Sequence, residues 1–223
     1  MSGFLNWFID FDETLASGAI TWAFESAFPK LIREYHLPND PARLQAAALV
    51  ALERAAHDDA AALILHQLFE TMGWPAALER TLFDDILTNY QPRLFDDATP
   101  FLERLKRLNR RVFVLSNNPL SLKLIALLEI EGYVSGIYTP TAHPGTRPKP
   151  HRSLWDVIVA ADPLVTADNS ALVGDDPWAD GTFATTCGIA CWLVDREARF
   201  DRLRGDTPYH WVRSLADIPL PER

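Results

Sequence analysis

Three short polar turns carry residue types able to do chemistry together. Asp10-Phe-Asp12 closes an apolar run, Ser116-Asn117 closes a second, and Asp175-Asp176 closes a third. A lysine, Lys149, lies between Pro148 and Pro150 in a stiffened loop, and it is one of only four lysines among 21 basic residues. Each signal alone is weak: nineteen aspartates make a chance Asp-x-Asp ordinary, and Ser-Asn-Asn or Gly-Asp-Asp is common turn chemistry. Order and strand placement together are what make the set specific. In an open parallel sheet, ligands bind beyond the carboxyl ends of the strands. Four carboxylates meeting one lysine and a hydroxyl there would repel one another without a cation, so a Mg²⁺ is implied.

The elements that must position these groups can be read from hydrophobic spacing. Phe4 to Ile9 reads as a strand buried on both faces. A helical stretch follows, with Trp22, Phe24, Phe28, Leu31 and Ile32 inward, and it breaks at His36-Leu-Pro-Asn-Asp. A second stripe, rich in alanine, runs from Leu44 to Ala55. Asp58 and Asp59 would cap a third helix through Leu63, Leu65 and Phe69, stopped by Gly73-Trp-Pro75, and Leu78, Leu82, Ile86 and Tyr90 mark a fourth. After Pro92 helices and strands alternate. Pro100 is expected to open a helix, Val112–Leu115 is a strand, Pro119 and Leu120 start a helix with Gly132 past its end, and Ile137-Tyr138 is a short strand. Leu154 to Ala161 is helical, Ala171–Val173 is a strand, Trp178 to Cys187 a short helix and Ile189 to Val194 a strand. His210–Val212 is an edge strand, and the tail from Ile218 is expected to be loose. The pattern predicts an α/β fold, a Rossmann-like parallel sheet formed by residues 1–15 and 96–223, interrupted by an all-helical insert over 16–95.

Composition narrows the partners. Acidic residues outnumber basic ones, 30 to 21, for a net charge of −9, which argues against a nucleic-acid partner. The one basic run, Arg104, Lys106, Arg107, Arg110 and Arg111, reads as a solvated helix face. Cys187 and Cys191 lack redox or zinc spacing and read as small buried residues. His143 and His151 flank the Lys149 loop and read as structural. Trp7, Trp22, Trp74 and Trp155 read as core. The N-terminus lacks a basic region and a long apolar run, and nothing approaches a membrane span, so a soluble cytoplasmic protein with no membrane partner is expected. Neither a Walker A nor a Gly-x-Ser-x-Gly sequence occurs.

Over essentially the whole chain, the ordered set resembles the haloacid dehalogenase-like (HAD) hydrolase superfamily. Asp10-Phe-Asp12-Glu-Thr14-Leu is similar to its first motif, Val114-Leu-Ser116-Asn to the second, Arg147-Pro-Lys149-Pro to the third and Gly174-Asp175-Asp176-Pro-Trp-Ala-Asp180 to the fourth. The insert resembles the family's small helical cap. Glu13 departs from the pattern, standing where many members have glycine. The resemblance implies that Asp10 attacks phosphorus to form an aspartyl phosphate and that Asp12 serves as general acid and then base. It implies Mg²⁺ held by Asp10, the Asp12 carbonyl and Asp175. Asp180 would orient a metal-bound water, with Asp176 the competing choice. Ser116 and Lys149 would hold phosphoryl oxygens, while Thr14 and Asn117 would line the phosphate loops. The implied substrate is a small phosphorylated metabolite, recognised through the cap, with oligomeric state left open. A phosphomutase and a 2-haloacid dehalogenase are the alternatives within the superfamily, and an inactive binding or regulatory protein is the alternative outside catalysis. A phospho-acceptor receiver module fits poorly, because a helical insert of about 75 residues is far longer than its connections.

Overall fold

The computed structural model describes residues 3–58, 64–205 and 207–220. The chain divides into two compact units, one built from Met1–Ser17 with Arg93–Arg223 and the other from Gly18–Pro92.

The first unit is a six-stranded sheet, every neighbouring pair parallel. Its strands are β1 (Asn6–Ile9), β2 (Arg111–Leu115), β3 (Gly136–Tyr138), β4 (Ser170–Gly174), β5 (Ala190–Val194) and β6 (His210–Val212), in the spatial order β3-β2-β1-β4-β5-β6. The centre is β1, buried at all four residues. Its alternating side chains serve two faces, as the two-residue repeat of a strand demands. Trp7 and Ile9 join Phe101, Leu102 and Leu105 of one helix and Ile125 of another, whereas Phe8 joins Leu154, Trp155 and Ile158 and, further along, Phe183 and Cys187. Those helices are Ala98–Arg107 and Ser121–Leu127 on the first face, Ser153–Ala161 and Thr182–Cys187 on the second. With the helices of the other unit they are numbered in chain order below, as α6 to α9.

The second unit contains α1 (Ala19–Trp22), a π turn (Ala23–Ala27), α2 (Phe28–Tyr35), α3 (Pro41–Asp58), α4 (Ile64–Met72) and α5 (Ala77–Asn89). The π turn precedes Pro29, whose missing N–H cannot complete the ordinary ladder. Its apolar faces meet in one cluster that includes Phe28, Leu44, Phe69, Trp74 and Leu82. Asp58 ends α3, while Asp59 and Leu63 of the expected capped helix lie outside the described residues.

Several expectations need correction. Helix α6 begins at Ala98, with Asp97 before it, so Pro100 sits inside its first turn and does not open it. Helix α7 starts at Ser121, after Pro119 and Leu120, and ends at Leu127, where Glu129 takes the left-handed conformation (φ 57°) expected of a glycine; Gly132 belongs to a separate short turn. The segment from Trp178 divides into a π turn, Pro177–Gly181, and α9. The tail is not loose as far as Leu220: Ile218 and Leu220 are buried in the first core cluster. The basic run is not one solvated face, since Arg110 is buried and Arg111 pairs with Asp162. Both cysteines are buried and unpaired, and burial pushes the Cys187 thiol up to about 12. Among the described residues, no helix is long and apolar enough to cross a membrane.

Candidate active site

Each polar turn follows a central strand, and the parallel register brings the strand ends level. The Asp10 N–H donates to Val173 O at 2.8 Å, tying the end of β1 to the end of β4. From the other side, the Ser116 N–H donates to Tyr138 O at 3.0 Å, so β2 and β3 end together. Beyond these ends the first loop turns back sharply. Ala16 bridges to both Asp12 and Leu94, and the Glu13 N–H donates to Ala16 O at 2.7 Å. The turn places Glu13 at φ 59°, in the left-handed region that glycine enters without strain. This explains why a glycine suits that position of the motif, and Glu13 occupies it at a backbone cost.

Lys149 is the centre of the site. Its ammonium, almost fully buried, donates to Asp10 Oδ1 at 2.6 Å, Asp180 Oδ1 at 2.6 Å and Leu115 O at 2.8 Å. Burial alone would push its pKa down, but Asp10 and Asp180 outweigh that and hold it above the usual lysine range. The loop that delivers it is pinned by Asn117. The Lys149 N–H donates to Asn117 Oδ1 at 2.8 Å and Asn117 Nδ2 donates to Lys149 O at 3.0 Å. Asn117 thus aligns the lysine backbone. Ser116 is buried, its Oγ accepting from the Asn118 N–H at 3.0 Å, which leaves the hydroxyl proton to donate elsewhere.

One carboxylate oxygen each from Asp10, Asp175 and Asp180 lies within 4.8 Å of the others. Asp180 reaches this cluster because residue 174 is glycine: a Cβ there would stand 2.3 Å from the Asp180 carboxylate. The π turn that carries Asp180 is capped by Asp176, whose Oδ1 accepts from the N–H groups of Trp178 (2.8 Å) and Ala179 (3.0 Å). Asp176 is therefore occupied with the turn, while Asp180 points into the cluster. Asp12 stands outside the cluster, its carboxylate accepting from Asn118 Nδ2 at 2.9 and 3.3 Å. Thr14 is fully buried. Its Oγ1 has no hydrogen-bond partner among the described residues, while its carbonyl accepts from Arg196 at 3.0 Å.

Electrostatics in the cluster follow from crowding in a dry setting. Burial pushes Asp10 up to about 8, with Asp180 and Asp12 adding to the rise and Lys149 opposing it. Burial likewise raises Asp12 to about 6, against the Asn118 hydrogen bond, and Asp176 to about 6. Asp175 is driven well up by burial, although Arg199 counters it with an Nη2–Oδ2 hydrogen bond of 3.1 Å. Five carboxylates face two cationic side chains. The chemistry of the donors, hard oxygens converging from three residues and short of positive charge, fits a divalent cation such as Mg²⁺. Sequence reasoning did not single out Asn118 and Arg199. Asn118 was within reach as the third residue of the Ser-Asn-Asn turn, while nothing in the pattern marked Arg199.

Comparison with known proteins bears on this geometry. The haloacid dehalogenase-like hydrolase family matches residues 8–188. No curated protein matches the sequence significantly. Among solved structures, the chain is similar to YfnB of Bacillus subtilis, a HAD-hydrolase by assignment and bound to magnesium, with 16% identity, 97% of each chain covered and a TM-score of 0.71. It is similar to a predicted phosphoglycolate phosphatase of Haemophilus somnus at 16% identity, 97% of each chain and a TM-score of 0.64. It is also similar to the L-2-haloacid dehalogenase of Xanthobacter autotrophicus at 18% identity, 96% of each chain and a TM-score of 0.65. At these identities the likeness is one of fold, and it spans phosphatase and dehalogenase alike.

Proposed function

The chain belongs to the haloacid dehalogenase-like hydrolase family, and we propose that within it this protein is a Mg²⁺-dependent phosphatase. Its substrate would be a small phosphorylated metabolite, with residues 16–95 setting the preference. The observation that carries the reading is Asp12, a second carboxylate two residues beyond Asp10, held by Asn118 and separate from the cluster around Lys149. Displacing an alkoxide near neutral pH needs a proton donor, whereas a halide leaves as a stable anion and needs none.

In this reading Asp10 is the nucleophile toward phosphorus, its carboxylate oriented by the Lys149 ammonium. Lys149 and the Ser116 hydroxyl hold phosphoryl oxygens. Asp12 protonates the leaving oxygen and then takes a proton from the water that cleaves the aspartyl phosphate. Mg²⁺, held by Asp10, Asp175 and Asp180 with the Asp12 carbonyl, would offset the negative charge of phosphate and carboxylates when bound. The buried Thr14 hydroxyl and Asn117 shape the loops on which these groups sit.

The test compares Asp12→Asn with the wild type on an alkyl phosphate and on p-nitrophenyl phosphate. The acid matters little for p-nitrophenolate, a good leaving group, so the alkyl phosphate should suffer much the larger loss in kcat. Equal losses on both would remove Asp12 as the acid of the first step. Release of halide from a 2-haloacid would replace the phosphatase reading with the dehalogenase one.

A further inference from the structure

All three clustered carboxylates share one feature: each already gives an oxygen to a cationic donor. Lys149 takes Oδ1 of Asp10 and Oδ1 of Asp180, and Arg199 takes Oδ2 of Asp175. Lys149 belongs to the proposed catalytic set. Arg199 does not, and it lies outside all four motif segments.

Its placement is nonetheless built. After β5 the chain folds around the fully buried carboxylate of Asp195, which accepts from the N–H groups of Arg199 (2.8 Å) and Phe200 (3.3 Å). The guanidinium carbon lies 5.4 Å from the centre of the Phe200 ring. Phe200 in turn packs edge-on against Trp178, in the π turn that carries Asp180, with ring centres 5.5 Å apart. Backbone and ring together aim the guanidinium at Asp175.

We propose that Arg199 is a positioning residue that confines Asp175 to a single coordinating oxygen, so that the site selects a small octahedral cation such as Mg²⁺ over a larger one such as Ca²⁺. The inference rests on the metal reading above. Mg²⁺ demands six ligands at about 2.0–2.1 Å and suits one-oxygen carboxylates, whereas Ca²⁺ takes six to eight at about 2.3–2.6 Å and commonly gains them from two-oxygen carboxylates. A cation using one oxygen of Asp175 leaves the Arg199 bond in place. A cation using both must share Oδ2 with a guanidinium, one positive group beside another. A counter-charge alone would act differently: removing it strengthens binding of any divalent ion about equally, so the ratio of affinities separates the two roles.

Calorimetric titration of the full chain with MgCl₂ and with CaCl₂ reads that ratio without reference to turnover. In Arg199→Met the preference for Mg²⁺ over Ca²⁺ should fall by about tenfold or more, the size of effect typical for partners of metal ligands. Arg199→Lys keeps a cationic N–H donor but not the planar group packed on Phe200, and should lose less of the preference than Arg199→Met. Arg199→Ala carries the same expectation as Arg199→Met, and should one of the two fail to fold, the other still decides. An Mg²⁺ to Ca²⁺ ratio unchanged within about twofold in the folded variant, or a lysine variant that shifts as far as the methionine one, overturns the role given to Arg199. If the wild type binds Mg²⁺ and only the ratio fails to move, this inference alone falls. If the wild type binds neither ion, the metal reading falls with it.

Discussion

Asp195→Ala removes a carboxylate that has no exposed surface and four donors: the N–H groups of Arg199 and Phe200, Arg204 Nη2 at 3.0 Å and Arg213 Nη1 at 3.1 Å. Breaking a buried ion pair costs about 3–5 kcal/mol when the partner is stranded. Here the arginines are not stranded. Each keeps Asp201, at 2.9 and 2.7 Å, and both side chains reach solvent. What remains is two backbone N–H groups without an acceptor, at roughly 1–3 kcal/mol each when buried, and the Arg199 group is only partly so. The expected loss is therefore about 3 kcal/mol, which for a chain of this length lowers Tm by roughly 6–12 °C. Asp201→Ala is the internal comparison. It removes ion pairs from the same arginines, but its side chain is 53% exposed, and surface pairs contribute only about 0–1 kcal/mol. Scanning calorimetry of both variants decides the matter. If Asp195→Ala loses no more than Asp201→Ala, the buried carboxylate does not organise the loop after β5, and the delivery of Arg199 loses its support.

Two other carboxylates give further outcomes. Asn118→Ala removes the one side-chain donor to Asp12 among the described residues, a hydrogen bond to a charged group worth about 1.5–3 kcal/mol, so kcat on an alkyl phosphate should drop roughly 10- to 100-fold with KM little changed; steady-state kinetics showing a KM effect alone would remove Asn118 from the positioning of Asp12. Asp97 is pushed up by partial burial, but bonds from Arg196, Ser214 and the Leu215 N–H outweigh that and hold it below the ordinary carboxylate value. A depressed folded pKa means stabilisation that is complete above the unfolded value of about 3.9 and is lost as pH falls through the folded one. Denaturant unfolding of wild type and Asp97→Asn should thus show a stability gap that is flat from neutral pH down to about 5 and closes below about 4, and a gap that widens on acidification would contradict it.

Much of the fold is legible in the sequence because the central strands are short, apolar and buried on both faces, as Phe8 and Val114 illustrate, and because each ends in a polar turn. What escaped was set by particular backbone conformations. Glu129 ends α7 in a left-handed conformation that no residue type advertises there, so the nearest glycine, Gly132, drew the boundary too far along. Ile218 and Leu220 lie beyond the last strand, and only the packing of that segment onto the first core cluster distinguishes them from a loose tail. The two π turns are invisible to a repeat of 3.6 residues, yet one of them sets the position of Asp180.

The candidate site divides along a similar line. Asp10, Lys149 and Asp175 stand out because each sits at a strand end or in a stiffened loop, Asp180 is supplied by the resemblance to the fourth motif, and the structure brings all four together. Asp176 and Asp180, which the family resemblance offers as competitors, separate once hydrogen bonds are seen: two backbone N–H groups hold Asp176 Oδ1, and Gly174 clears the space that Asp180 fills. Asn118 and Arg199 act through other residues, orienting Asp12 and Asp175, and a residue that only needs to present an N–H at the right place can come from any loop that reaches it. Arg199 does so from a loop organised by Asp195, whose own signal is a single aspartate after a strand. Motif order therefore points to the groups that would meet the reacting atoms in the proposed reaction, while the groups that hold them in place emerge only from three-dimensional proximity. That is why the selectivity assigned to Arg199 has to be tested by metal binding on this chain.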